Sequence, residues 1–472
     1  MSLQASLQAM LDVQRAAFAR EPATLARRRE ALRALRMAVW KHRDALVAAV
    51  SEDFGGRAPA ETLALEIFVL LDQLRFAERH VARWMRRRRV PGSWFLLPAR
   101  AFIEVQPLGV VGIIGAWNYP VLLTLGPLID ALAAGNHALV KPSELAPHTA
   151  AALAALLAEA FPPEHVTAVL GGREVAEAFC RLPLDHLLFT GSTRVGRSVM
   201  AAAAEHLVPV TLELGGKSPA IVHDSYPIAR AAERILGAKL LNAGQTCVAP
   251  DYVLLPAGRL GAFEAAAREA VARRYPRFVG NADYTRIVSD AHVDRLRALV
   301  ADAEARGAQV VALRGADEAP APGDRLVFPT LILGATPEMA VMQEEIFGPL
   351  LPVVAYDALD EALDFVNARP RPLALYYFDD DGRRQDRVLA GTMSGGVTFN
   401  DCMLHLAQHH LPFGGVGPSG LGHYHGRHGF ETFSKQRAVM VQGRWSAASL
   451  LAPPYAGRSG RLLDLMLRWV GR

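Results

Sequence analysis

Three thiols, Cys180, Cys247 and Cys402, occur in the 472 residues. Cys247 closes the stretch Asn242-Ala-Gly-Gln-Thr-Cys-Val, which is polar and contains a glycine. A loop of that composition lets a substrate approach the sulfur. The thiolate is the reactive form of cysteine, whereas an isolated cysteine is ordinarily a small buried hydrophobe. The neighbours of Cys247 in sequence supply no base, so a base must come from elsewhere. Thr211-Leu-Glu-Leu-Gly-Gly-Lys-Ser-Pro offers Glu213, flanked by Leu212 and Leu214 and followed by Gly215 and Gly216. A carboxylate in apolar surroundings has a raised pKa and can act as a general base; an exposed strand glutamate is the plainer alternative.

Three further segments carry polar groups at places where ligands bind. In Gly115-Ala-Trp-Asn-Tyr-Pro, Asn118 follows an apolar strand, at the carboxyl end where open α/β sheets bind ligands. Its amide could donate to a developing oxyanion or simply make an Asx turn before Pro120. In Val140-Lys-Pro-Ser-Glu, Lys141 closes a strand and Glu144 lies just beyond it, a donor and an acceptor suited to a ribose, or an ordinary turn with a helix cap. Phe189-Thr-Gly-Ser-Thr-Arg-Val-Gly-Arg-Ser runs from strand through glycine loop to helix start. Such a turn aims backbone N–H groups at a phosphate. It also approaches the P-loop pattern of nucleotide hydrolases, but Arg197 stands where that pattern needs lysine. No later apolar strand ends in an obvious magnesium-binding aspartate.

The elements that must position these groups follow from periodicity. Residues 1–85 read as helices, with Leu25, Leu32, Leu35 and Val39 at helical spacing. Strands at Val110–Ile114, His137–Val140, Val166–Leu170 and His186–Phe189 then alternate with helices at Pro127–Ala134, Ala150–Ala160 and Val175–Cys180. That alternation implies a parallel sheet covered on both faces, a dinucleotide-type architecture. A second α/β pattern runs from about Val210 to residue 400. It has helices at Ala257–Arg274, His292–Arg306 and Leu359–Asn367, and strands at Val310–Leu313, Leu351–Ala355 and Leu373–Phe378.

Composition narrows the class. The chain is 51% apolar with a net charge of +4, from 51 Lys and Arg against 47 Asp and Glu. That balance excludes a nucleic-acid binder by charge and allows two or three domains at roughly 150 residues each. Three cysteines without a CxxC pair make neither a disulfide framework nor a zinc site, and a reducing compartment fits best. Met1–Arg20 lacks a signal-peptide core, and cytoplasmic localisation is expected. The charge-free stretch Pro107–Ile129 imitates a membrane span, but its prolines and glycines favour a strand, a loop and a buried helix. The run Arg86–Arg89 reads as a solvated helix end, with a phosphate or lipid contact as the alternative.

Taken together and in this order, the motifs resemble the aldehyde dehydrogenase superfamily over nearly the whole chain. They are Trp117-Asn-Tyr-Pro120, Lys141-Pro-Ser-Glu144, Phe189-Thr-Gly-Ser192, Glu213-Leu-Gly-Gly216, Gly244-Gln-Thr-Cys247, Glu344-Glu-Ile-Phe-Gly-Pro349 and Pro412-Phe-Gly-Gly415. The resemblance implies Cys247 as nucleophile, Glu213 as the base for the hydrolytic water, and Asn118 with the Cys247 N–H as oxyanion hole. It implies Lys141 and Glu144 at the adenosine ribose, Ser192 at the pyrophosphate, Glu345 at the nicotinamide ribose and Phe347 beside the nicotinamide. Trp117, Ser143, Gly191, Leu214 and Gly215 complete the implied cofactor site. Ala116 replaces a proline found in many members. Pro372-Leu-Ala-Leu-Tyr-Tyr-Phe and Gly414–Gly426 resemble the class 3 branch, and Gly422-His-Tyr-His-Gly with Leu184-Asp-His-Leu-Leu is most similar to bacterial coniferyl aldehyde dehydrogenases.

The implied protein has a cofactor domain at 1–82 and 102–210 and a catalytic domain at 211–400. Oligomerisation segments at 83–101 and 430–447 and a tail at 448–472 complete it. It is expected to be a homodimer that oxidises an aromatic aldehyde with NAD, or NADP, and holds no metal despite the histidines of residues 405–428. A fatty aldehyde is the alternative substrate, and a non-catalytic descendant the alternative class. In the tail, Leu462, Leu465, Met466, Trp469 and Val470 stand at helical spacing. Docking on protein is preferred there over an anionic membrane surface, because few arginines accompany the segment.

Overall fold

The structure is a computed structural model that describes residues 2–20, 23–446, 449–450, 452–453 and 455–471. The amino-terminal periodicity becomes a 30-residue helix, Leu25–Phe54. Thr24 caps its start, accepting from the Arg27 N–H at 3.4 Å, and Gly55 ends it in the left-handed conformation at φ 67°. Leu32, Leu35, Val39, Leu46 and Val50 are completely buried along one stripe. Each such side chain contributes roughly 1.5–3 kcal/mol of burial. This helix packs on Pro147–Ala160 and Val69–Trp84; Pro147–Ala160 lies against the first sheet, and Val69–Trp84 packs on helix Leu122–Ala134, which does the same.

That sheet has six strands in the order Gly420–Leu421, Val210–Glu213, His186–Thr190, Val110–Ile114, His137–Lys141 and Val166–Ala168. All pairs are parallel except the two-residue edge strand, which runs antiparallel to Val210–Glu213. Every residue of Val110–Ile114, His137–Lys141 and His186–Thr190 is buried, as a parallel sheet covered on both faces requires. The register pairs Ile114 with both Lys141 and Phe189, and Thr190 with Glu213, so four neighbouring strands end level. The charge-free stretch divides into strand Val110–Ile114, a loop, and helix Leu122–Ala134, in which every residue but the first is buried. Among the described residues no helix is long and apolar enough to cross a membrane.

The second sheet has seven strands, in the order Gln309–Ala312, Thr330–Leu333, Leu350–Tyr356, Tyr252–Pro256, Pro219–Val222, Ala374–Phe378 and Gly396–Phe399. Only its first pair is antiparallel. A third, antiparallel sheet joins Arg88–Val90, Arg100–Pro107 and Ser434–Val441. Strand Arg100–Pro107 pairs along its whole length with Ser434–Val441 and does not enter the six-stranded sheet. The expected architecture, a Rossmann-like sheet, a second α/β unit and a small β element, is the one observed.

Candidate active site

Four of the singled-out segments lie at the carboxyl ends of adjacent parallel strands. Trp117 and Asn118 follow Val110–Ile114, Lys141 closes its strand, Gly191 and Ser192 follow His186–Thr190, and Glu213 ends Val210–Glu213. Lys141 is fully buried, and its Nζ donates to Glu144 Oε2 at 2.7 Å and to the Pro142 carbonyl at 3.2 Å. Burial alone would raise the Glu144 carboxyl, but the Lys141 hydrogen bond and charge outweigh it and hold the group below the usual carboxylate range. Ser143 turns back to accept from the Leu145 N–H at 3.3 Å. Ser192 caps helix Thr193–Ala204, accepting from the Val195 N–H at 3.4 Å. That leaves other first-turn N–H groups directed at the space beyond the strand ends. Arg197 is exposed on this helix.

Cys247 reaches the site by a different route. Asn242, Ala243 and Gly244 are successively left-handed, at φ 52°, 51° and 78°. A Cβ on Gly244 would overlap the Gly348 carbonyl, so this turn also fixes the approach of the Glu345–Phe347 loop. Side-chain amides hold the coil together. Asn242 Nδ2 donates to the Asn118 carbonyl at 2.8 Å and to the Gln245 carbonyl at 3.2 Å. Gln245 Nε2 donates to Asn242 and Arg286 carbonyls at 2.9 and 3.1 Å, and its Oε1 accepts from the Val288 N–H at 3.0 Å. Tyr119 Oη and Thr246 Oγ1 lie 2.8 Å apart.

Asn118 is buried, and its Nδ2 donates one proton to the Gln245 carbonyl at 3.1 Å. An amide has two N–H donors, so one remains for a ligand. Arg57 holds the Asn118 backbone from below. Its Nη1 donates to the Asn118 carbonyl at 3.2 Å and to Glu66 Oε1 at 3.1 Å. Glu66 Oε2 accepts from the N–H groups of Val121 and Leu122 at 2.8 and 3.0 Å, capping helix Leu122–Ala134. Sequence reasoning missed Arg57, Glu66 and Asn242 because nothing local separates a buried arginine or amide from a solvated one.

The Glu213 carboxyl is 3% exposed and neither oxygen has a hydrogen-bond partner. Burial therefore pushes its pKa well above the usual range. Cys247 is half-buried; burial first, then the Glu345 and Glu213 carboxylates, push its thiol up to about 12. Glu345 lies against Gly215, where a Cβ would overlap its carboxylate. Burial and Asp251 push Glu345 up to about 8, against a hydrogen bond from Gly216 and the charges of Lys217 and Arg295. Phe347, at φ 50°, meets the Trp117 ring edge-on with centroids 5.3 Å apart. Leu214 is buried and donates its N–H to the Ser419 carbonyl at 3.2 Å, linking the base segment to the glycine run at 414–426.

The histidines of that region pack on aromatic rings. His405 and His425 each stack on the Phe413 ring, with centroids 6.2 and 5.2 Å away. Among the described residues no three His, Cys, Asp or Glu side chains are grouped to hold a metal.

Comparison with known proteins agrees with this geometry. The model of the aldehyde dehydrogenase family matches residues 3–439. A probable coniferyl aldehyde dehydrogenase of Pseudomonas aeruginosa is 52% identical over 451 residues, covering 95% of this chain and 94% of that protein. Staphylococcus aureus AldH, solved in a substrate-bound state, superposes with a TM-score of 0.91 at 37% identity, over 97% of this chain and 99% of that one. A Mycobacterium tuberculosis aldehyde dehydrogenase complexed with NAD+ gives a TM-score of 0.84 at 28% identity, over 94% and 92% of the two chains. A family match of this extent excludes the P-loop reading, and the chain belongs to the aldehyde dehydrogenase family.

Proposed function

We propose that the chain oxidises coniferyl aldehyde or a related aromatic aldehyde to its carboxylic acid, using NAD or NADP, with Cys247 as nucleophile. The carrying observation is the arrangement around the sulfur: a half-buried thiol on a left-handed coil, the Asn118 amide on the same hydrogen-bonded coil, and a buried carboxyl at Glu213 with no partner. The aromatic substrate class comes from the Pseudomonas aeruginosa relative.

The Cys247 thiol gives up its proton to solvent as its sulfur adds to the carbonyl carbon, and the spare Asn118 N–H with the Cys247 N–H holds the oxygen as it becomes negative. A nicotinamide dinucleotide, when bound, supplies the acceptor for the hydride that leaves that carbon. As that hydride leaves, the oxyanion restores the C=O double bond, now as a thioester on Cys247. Glu213 then takes a proton from water, the oxygen adds to the thioester, and the Cys247 thiolate leaves with the acid as product. An unpartnered carboxyl with a raised pKa suits this work, because it gains a proton readily and gives it up again.

The residues fit a dinucleotide. Lys141, Ser143 and Glu144 would hold the adenosine ribose, and Gly191 and Ser192 the pyrophosphate. Glu345 would hold the second ribose, with Trp117, Leu214, Gly215 and Phe347 around the ring. The Glu144 carboxylate repels a 2′-phosphate and so favours NAD. Since strand Arg100–Pro107 belongs to the third sheet, the cofactor part is assigned to 1–82 and 108–210, the catalytic part to 211–400 and the bridging part to 83–107 and 430–447, in a cytoplasmic homodimer. The edge strand Ser434–Val441, mostly exposed, supports pairing across a dimer. An aldehyde panel tests the substrate class: cinnamyl and benzyl types against long-chain aliphatics, each with NAD and with NADP. The highest kcat/KM is expected for coniferyl aldehyde with NAD. A preference for long-chain aldehydes overturns the substrate reading, and no turnover of any aldehyde overturns the enzymatic one.

A further inference from the structure

A cleft of about 640 Å³ opens at the amino ends of strands His137–Lys141 and Val166–Ala168, bordered by helices Leu3–Arg20 and Leu25–Phe54. Its volume is that of a small-molecule site. His137 begins the strand that Lys141 ends, so the cleft lies at the opposite end of that strand from the groups assigned to the cofactor. Of the residues lining it, Arg20, Glu30 and Glu164 are exposed, while Ala31, Leu132 and Phe161 form a buried apolar floor.

Arg28 gives this cleft a buried positive charge. The residue is 5% exposed, and its guanidinium lies against Gly135, where a Cβ would come within 2.8 Å of Arg28 Cζ. A guanidinium has five N–H donors. Arg28 Nε donates to the Ala23 carbonyl at 2.9 Å and Nη1 to the Ala133 carbonyl at 3.0 Å. No carboxylate among the described residues pairs with it, and burial, unopposed by any anion, lowers its pKa to about 10. An unpaired buried charge is costly, and an anion entering the cleft offsets that cost. His165 is the second polar group of the lining. Its ring meets Phe161 edge-on at 5.4 Å and His137 at 4.7 Å. Burial first, then the charges of His137 and Arg27, hold its pKa at about 4, so the ring is neutral and keeps one N–H donor.

We propose that this cleft binds a small aromatic carboxylate, with its charge on Arg28 and its ring against Phe161 and His165. The first turn of helix Leu25–Phe54 lies at the cleft, and its positive end adds to the attraction for an anion. Glu30, Glu164 and the carboxyl end of helix Pro147–Ala160 face the same space and oppose it. The balance suits a single negative charge better than a phosphate. The apolar floor and the two rings favour a flat hydrocarbon body over a hydrated one. Oxidation of an aromatic aldehyde yields a carboxylate of this class. Identifying the ligand with the reaction's own product rests on the proposed substrate, which the aldehyde panel tests separately from binding here.

Hydrogen exchange of the full chain, read by peptide mass spectrometry, tests this with cinnamate, octanoate and inorganic phosphate as probes. Saturating cinnamate is expected to slow exchange in peptides within 23–34 and 160–165 at least about threefold. The location of the protection separates this cleft from the active site around Cys247. Arg28→Gln removes the charge, and Ala17→Phe fills the cleft while leaving Arg28 in place. Both variants are expected to lose the protection with kcat and KM for aldehyde oxidation unchanged, which shows that the fold is intact. If Arg28→Gln does not fold, Ala17→Phe decides alone. The proposal is overturned by protection that persists in Ala17→Phe, or by protection confined to peptides around Cys247. Absence of any protection, or equal protection by octanoate or phosphate, overturns it as well.

Discussion

The two sides of the active site are built by different means. On one side Lys141, Ser192 and Glu213 sit at the ends of strands whose positions are fixed by a parallel ladder and by burial on both faces. On the other side Cys247 follows a coil with positive φ angles, kept in place with Asn118 by side-chain hydrogen bonds from Asn242, Gln245 and Arg57. The first side distributes its stability over many backbone bonds, so losing a single side chain there leaves the geometry of the others standing. The second concentrates its geometry in a few amides and one guanidinium. Losing one of those moves the reacting groups.

Substitutions can break or sharpen this contrast. The largest effect is expected from Cys247→Ala, which removes the nucleophile. Aldehyde oxidation should disappear while NAD affinity by calorimetry stays within about threefold. Substantial residual oxidation would place the chemistry elsewhere. Next is Glu213→Gln, in which an amide replaces the proton acceptor. Stopped-flow traces should keep the NADH burst and slow the steady state by about 10²–10⁴-fold. Because burial raises the Glu213 pKa, its basic form accumulates at higher pH than that of an ordinary carboxylate. The wild-type deacylation rate should therefore climb with pH, and the Glu213→Gln rate should stay flat. Loss of the burst itself would mean that Glu213 acts before hydride leaves.

Asn242→Ala separates the two sides. It removes the hydrogen bonds to the Asn118 and Gln245 carbonyls and puts alanine at φ 52°. Displacing the oxyanion amide by even an ångström should lower kcat about a hundredfold, with little change in NAD affinity. The smallest effect belongs to Ser192→Ala on the ladder side. The lost cap weakens helix Thr193–Ala204 by about 1 kcal/mol, and NAD affinity should fall only a few-fold, because backbone N–H groups remain. If Ser192→Ala costs more activity than Asn242→Ala, the contrast between ladder and coil is wrong.

The same contrast explains what the sequence made legible. Strands Val110–Ile114, His137–Lys141 and His186–Thr190 announce themselves as short apolar runs closed by glycine or proline, and the polar residues just after them were read correctly as lying at strand ends. Helix Leu359–Asn367 was legible to the residue. Strands Pro219–Val222, Thr330–Leu333 and Gly396–Phe399 were not, because each opens on a proline, threonine or glycine and leaves at most three strand-forming apolar residues in a row. The left-handed turn at Ala243 carries no signal in its residue type, and the Arg57–Glu66 pair joins Asn118 across 61 positions. Trp469 of the tail meets Trp94 in a contact of the same long-range kind.

The central claim is a covalent intermediate on Cys247 that Glu213 clears. It is tested most directly by mixing Glu213→Gln with NAD and coniferyl aldehyde, quenching in acid within the burst, and mapping adducts by peptide mass spectrometry. The expected result is the mass of the acyl group on the peptide containing Cys247, absent when NAD is omitted. An unmodified Cys247 peptide after a full NADH burst, or the acyl group on Cys180 or Cys402, would contradict it.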